Sequence, residues 1–191
     1  RSGVKCGKLL VSGIFIKPNS TVTIPHHYRS PSTDLRALPY PIYQQSFLED
    51  SAVIVVPNNP STSALEAAMN VSTGFGYATD EKLSLSLVPE WQLTNDLKDN
   101  NHLIFVGELD LFNSFAEFDL PIEEEATGNQ VDEEDGIIQM IVSPYNNNKV
   151  VLVVTGLESA GVGLAGQVIS AFNIRTSQPH NVAIIKDINP T

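Results

Sequence analysis

The chain has 191 residues, 42% of them hydrophobic, and a formal net charge of −11. That length suits one domain with an addition or two small ones, and the acidic balance argues against nucleic acid or an anionic membrane surface as a partner. The single cysteine, Cys6, excludes an internal disulfide and speaks against a thiolate metal site. No apolar run is long enough to span a bilayer, and no signal peptide is recognisable. Because the sequence opens at Arg1 within what reads as a strand, it is expected to be a piece of a longer protein.

In chain order, Lys8–Val11, Gly13–Ile16 and Thr21–Ile24 are short β-type runs, the last two separated by the turn Pro18-Asn19-Ser20. No helical spacing occurs there, so residues 1–28 read as the final strands of a β-sandwich. Pro31, Pro39 and Pro41 mark residues 29–47 as an extended linker. From there the pattern changes. Ala52–Val56 is fully apolar, as expected of a strand covered on both faces, and Pro57 closes it. Ser61 or Ser63 can cap a following helix whose stripe is Ala64, Leu65, Ala68, Met69, Val71, Ser72 and Phe75, with Gly74 and Gly76 at its end. Leu83–Val88 alternates, which predicts a strand near an edge. A short helix is expected over Trp91–Lys98, and His102–Val106 is another buried strand.

Residues 108–135 form an acidic insert with 11 of the 22 acidic residues and no Lys or Arg. Phe112, Phe115 and Phe118, spaced by three, predict a short helix that docks at its start. Ile137–Val142 and Val150–Val154 flank the turn cluster Pro144–Asn148 and predict a tight hairpin. Gly156 ends the second strand. Ser159 is the expected cap of a helix carrying Val162, Ala165, Val168, Ile169 and Phe172, and residues 182–186 can add a last strand. The element order implies an α/β fold with right-handed crossovers and a mostly parallel, three-layer sheet.

Few residues carry a sign of chemistry. Gly161-Val162-Gly163-Leu164-Ala165-Gly166 matches G-x-G-x-x-G, with Asp187 about twenty residues on. A dinucleotide fingerprint needs its first glycine at the turn leaving the strand, whereas this one starts inside the helix, so close packing is the preferred reading and a nucleotide or flavin site the alternative. No Walker motif follows these glycines. Asp132-Glu133-Glu134-Asp135 lacks the alternating ligands and central glycine of an EF-hand and reads as solvated charge. Carboxylates for glycoside hydrolysis would need a fixed separation that a charged loop does not provide. His26-His27, His102 and His180 have no zinc spacing. Cys6 has no nucleophile signature, and no G-x-S-x-G elbow occurs. Trp91 and Tyr145, in loops at strand ends, are the candidates for stacking on sugar faces. Asn19-Ser20-Thr21 and Asn70-Val71-Ser72 fit the glycosylation pattern, the second inside an expected helix.

Three blocks carry a resemblance. Val53–Ser61 followed by an Ala-rich helix, the run Glu134–Gln139 with Ser143–Asn146 and Val151–Gly156, and the linker Asp34-Leu35 to Pro39-Tyr40-Pro41 are together similar to the bacterial cellulose synthase B subunit family. The similarity covers about residues 30–175. It implies a flavodoxin-like α/β domain over residues 48–191, preceded by the tail of a carbohydrate-binding sandwich. It further implies a non-catalytic, extracytoplasmic subunit, membrane-anchored elsewhere in the parent. Its partners would be the catalytic synthase subunit and the exported glucan, and its role would be scaffolding and glycan guiding. Descriptions of that family mention cyclic di-GMP, for which this acidic chain offers no Arg-rich site. No cofactor, metal or catalytic residue is expected, and a generic extracytoplasmic interaction domain is a further alternative.

Overall fold

A computed structural model describes residues 21, 30–45, 49–122, 131–172, 174 and 180–187. The sandwich strands expected within residues 1–28, with Cys6, His26 and His27, lie outside the described residues apart from Thr21, as does 123–130 of the acidic insert. Six strands and three α-helices alternate along the rest: β1 (Ser51–Val56), α1 (Thr62–Ala78), β2 (Ser84–Pro89), α2 (Asn95–Asn100), β3 (His102–Val106), β4 (Gly136–Val142), β5 (Val150–Gly156), α3 (Ser159–Ser170) and β6 (Val182–Ile185).

The strands make one sheet in the order β2-β1-β3-β5-β4-β6. Pairings β2–β1, β1–β3 and β3–β5 are parallel. β4 is antiparallel to both β5 and β6. The fold is therefore α/β with a mixed sheet, and the expectation of a flavodoxin-like, mostly parallel sheet is corrected to that extent. The cause is local: the turn between Val142 and Val150 is too short for a crossover, so β4 must return alongside β5. The return then leaves the outer edge of β4 for β6.

Period-two alternation sorts the apolar strands onto two buried faces. Ala52, Ile54, Val56, Ile104, Val106, Leu152 and Val154 face α1 and α3. Val53, Val55, Leu103, Phe105, Val151 and Val153 face the other way, under Leu93, Phe112, Phe115, Phe118 and Leu120. The predicted phenylalanine helix is a pair of 3-10 turns, Leu109–Leu111 and Asn113–Glu117. Phe112, Phe115 and Phe118 close around Phe105 with ring centroids 5.2, 5.3 and 5.3 Å away. Offset and edge-on aromatic pairs of this kind add about 0.5–1.5 kcal/mol each beyond area burial. Buried Glu90 fixes this cover by accepting from the Ser114 and Asn113 amides at 2.7 and 3.3 Å. The start of the acidic insert is thus a structural layer.

Ser61 caps α1, its Oγ accepting from the Ala64 amide at 3.1 Å. The buried stripe is Ala64, Ala67, Ala68, Val71, Gly74 and Phe75, so the expected stripe is rotated: Leu65 and Met69 (68% exposed) face outward. Small residues win the inner face because α1 packs tightly on α3. A Cβ added at Gly166 would lie 2.8 Å from Ala67 Cα, and one at Gly74 2.7 Å from Ser170 Cα. For the same reason Gly74 does not end the helix, which runs on to Ala78. The helix expected over Trp91–Lys98 is split into a 3-10 turn, Glu90–Gln92, and α2, capped by Thr94.

Part of the stretch expected to be an extended linker folds onto the domain. Asp34 caps a 3-10 turn over Leu35–Ala37, and Leu35 and Ile42 are buried in the core beneath α1 and α3. The Leu35 amide donates to the His180 carbonyl at 3.0 Å.

Candidate functional site

In open α/β sheets, ligands settle beyond the carboxyl ends of the strands where the chain leaves in opposite directions. Here that place lies between β1, whose chain continues to β2 on one side, and β3, on the other. The segments around it are Pro57–Ser61 after β1, Gly107–Glu108 after β3 and Leu157–Ser159 after β5. The sequence brings them close. Gly107 has φ +155°, and a Cβ there would sit 2.6 Å from Pro57 Cγ, so only glycine fits. Thr155 Oγ1 donates to the Gly107 carbonyl at 2.6 Å.

The next side chain fills the crevice. Glu108 is only 7% exposed, and its Oε1 accepts from the Ser159 hydroxyl at 2.6 Å. Ser159 is the first residue of α3, with Glu158 rather than Ser159 in the cap position and no side-chain bond closing that end. This corrects the expected Ser159 cap. Burial alone would raise the Glu108 pKa. Hydrogen bonding from Ser159, and next from Ser61, outweighs it and leaves the carboxyl below its ordinary value. The carboxylate therefore sits between the starts of α1 and α3, where a helix favours negative charge. Ser61 favours the ionised form without completing a bond to the second oxygen: Glu108 Oε2 is buried and receives no hydrogen bond.

The G-x-G-x-x-G glycines lie within α3, and two of the three, Gly161 and Gly166, serve packing. A Cβ at Gly161 would run into the Asp135 carbonyl, and one at Gly166 into Ala67, while Gly163 has nothing within 4 Å. The amides of Gly163 and Gly166, past the first turn, bond carbonyls of the helix itself and cannot cradle a diphosphate, and Gly161 in the first turn lies against the Asp135 carbonyl. Asp187 follows β6, which β4 separates from β5, so the acidic residue does not neighbour the strand that leads into these glycines.

Trp91 and Tyr145 come from opposite ends of the sheet, after the last residue of β2 and before the first of β5. Trp91 is 70% exposed, and its backbone amide is held by Asn58 Oδ1 at 2.9 Å. Tyr145 is engaged: its hydroxyl donates to Glu117 at 3.0 Å, Phe118 meets it edge-on, and Lys98 Nζ stands 4.5 Å over the ring. Burial, and next the Glu117 carboxylate, raise its pKa. Trp91 thus presents a free ring and Tyr145 does not. Sequence reasoning missed a shallow groove of about 410 Å³ between α1 and the edge strand β2, lined by Met69, Ser72, Thr73, Leu85, Ser86 and Leu87.

Two other clusters are structural. His102 is buried, accepts the Val150 amide on Nδ1 at 3.1 Å, and has its pKa lowered to about 4 by burial, with Lys149 acting the same way and Asp50 against it. Lys186 bridges Asp132 and Asp135, both at 3.2 Å. Among the described residues, no group of three or more His, Cys, Asp or Glu is placed to hold a metal ion. Glu108 was lost to sequence reasoning among ten other acidic residues; the available signal was a carboxylate immediately after a buried strand and Gly107.

Residues 34–182 match the family described as cellulose synthase BcsB, first FD domain. The chain is also 32% identical over 90 residues, 46% of its length, to the uncharacterized protein YdaN of Bacillus subtilis (strain 168). That match spans 13% of the YdaN length.

Proposed function

The chain belongs to the cellulose synthase BcsB family, matching its first FD domain over residues 34–182, and we propose that it is a non-catalytic, extracytoplasmic module of a cellulose synthase complex. It packs against neighbouring modules and the catalytic subunit, and helps guide the exported glucan. The family match carries this reading. Two features of the fold support it: the crevice where an α/β enzyme would bind its ligand holds Glu108, and the glycine motif is spent on helix packing. Among the described residues no helix is long and apolar enough to cross a membrane, and in this proposal anchoring falls to other parts of the parent protein.

Within this reading Trp91 is the sugar-contacting residue. Its exposed ring offers the flat apolar face that a pyranose stacks on, whereas Tyr145 has a supporting part in the hairpin turn. Affinity purification of the parent protein co-expressed with the catalytic subunit recovers both chains if the proposal holds. Cello-oligosaccharide binding to the parent falls about tenfold in W91A, equivalent to roughly 1.4 kcal/mol. A parent that captures neither the catalytic subunit nor a cello-oligosaccharide overturns the proposal.

A further inference from the structure

Trp91 does not stand alone on its side of the sheet. On α1, Leu65, Met69, Ser72 and Gly76 recur at the spacing of one helical face, a stripe of about 16 Å at 1.5 Å per residue. Leu65 and Met69 are exposed, and a Cβ added at Gly76 would meet nothing within 4 Å. Across the groove stand Leu85 and Leu87 of the edge strand β2, the second of them exposed. Because β1 and β2 run parallel, the last residue of β2 and the start of α1 share one end of the sheet. That is the end where Trp91, its amide held by Asn58, presents its ring.

The lining limits what can lie there. Apolar surface from Met69, Leu85 and Leu87 is interspersed with the hydroxyl-bearing Ser72, Thr73 and Ser86, and no lining residue is charged. In a chain of net charge −11, an anionic polymer is repelled, and a cationic one finds no carboxylate in the groove to pair with. The volume of about 410 Å³ is that of a site for a small ligand or a short segment of a polymer. The Ser84 amide donates to the Asp50 carbonyl at 3.0 Å, so the main chain of Ser84 and Ser86 faces β1 and that of Leu85 and Leu87 faces outward. Pro89 has no N–H, which leaves β2 two outward amides. That is a short ladder for an incoming peptide strand. A few donors and acceptors beside apolar surface suit instead a neutral polymer of rings with flat C–H faces and hydroxyl rims.

We propose that the groove between α1 and β2, continued by the Trp91 ring, seats one segment of a neutral glucan chain. Sugar faces lie on Met69 and Leu87, and sugar hydroxyls bond Ser72 and the outward main chain of Leu85 and Leu87. This rests on the glycan-guiding reading and adds to it a track several sugar units long, of which Trp91 is one end. Affinity therefore grows with the length of the oligosaccharide.

Titration calorimetry of the parent protein with cellotriose and cellohexaose tests it. The native protein binds cellohexaose about tenfold more tightly than cellotriose. M69E and L87E place a carboxylate on opposite walls, both at exposed positions, and each removes that gain while its melting point stays native. If one of them does not fold, the other, on a different element, decides. Y77A, exposed on α1 but off the stripe, leaves both affinities unchanged. Length dependence that survives in M69E and L87E overturns the proposal, as does equal binding of a cationic glucosamine hexamer. Capture of the catalytic subunit, measured on the same variants, separates this proposal from the scaffold reading. If M69E and L87E lose the subunit but keep their affinity for cellohexaose, the groove docks a protein and the proposal falls. A parent that captures the subunit and binds no cello-oligosaccharide overturns the groove and leaves the scaffold standing, and one that captures neither overturns both.

Discussion

His102 is the side chain whose ionisation bears most directly on the stability of the sheet. Its Nδ1 accepts the Val150 amide at the first rung between β3 and β5, and an imidazolium would have no lone pair left for that bond. With a folded pKa of about 4 against an ordinary 6.5, the unfolded chain takes up a proton before the folded one does. Stability from this group is therefore complete above pH 6.5 and is lost as pH falls from 6.5 to 4, by up to about 3 kcal/mol. H102Q, whose amide oxygen can still accept, should flatten that slope. Urea midpoints at pH 7 and pH 4.5 for the two chains check it, and equal slopes would remove His102 as the cause. Glu108 has a lower-lying window. Its depressed carboxyl gives up stability only as pH drops through its folded pKa, below the ordinary 4.5.

Among the elements, α1 and α3 show best how glycine position can be read. Gly166 lies where a Cβ would be 2.7 Å from the Ala67 Cβ, whereas Gly163 on the same helix would meet nothing. G166A should cost about 1–3 kcal/mol by forcing the helices apart. G163A should stabilise by about 0.5–1 kcal/mol, since it only removes the conformational freedom of a half-buried helical glycine with open space beside it. Thermal melts of the two variants should move in opposite directions. These elements also show the limits of sequence patterning. The apolar runs at 52–56, 102–106 and 150–154 were legible because both sheet faces are covered, so each strand reads as unbroken hydrophobic. The inward stripe of α1 was misplaced because Ala67 and Gly74 are selected by contact with a second helix. Periodicity ranks Leu65 and Met69 above such small residues and cannot see that contact. The phenylalanine spacing at 112, 115 and 118 announced docking but not the 3-10 geometry, and Glu90, which holds that turn from 23 residues away, carries no local signature.

For the whole molecule, the α/β class and the hairpin were readable from runs and turn residues, but the mixed order of the sheet was not. Which free edge β6 takes depends on the return of β4, a tertiary choice with no mark in residues 182–185. Composition gave the Pro-rich stretch the look of a spacer, yet Leu35 and Ile42 are in the main core. A spacer would tolerate truncation there, whereas L35A should cost about 2–5 kcal/mol, measurable as a fall in the denaturation midpoint at unchanged m-value. The bond from Leu35 to His180 fastens the segment that precedes β1 to the one that leads into the edge strand β6. A change that frees Leu35 would therefore loosen that edge of the sheet as well as the core beneath α1 and α3.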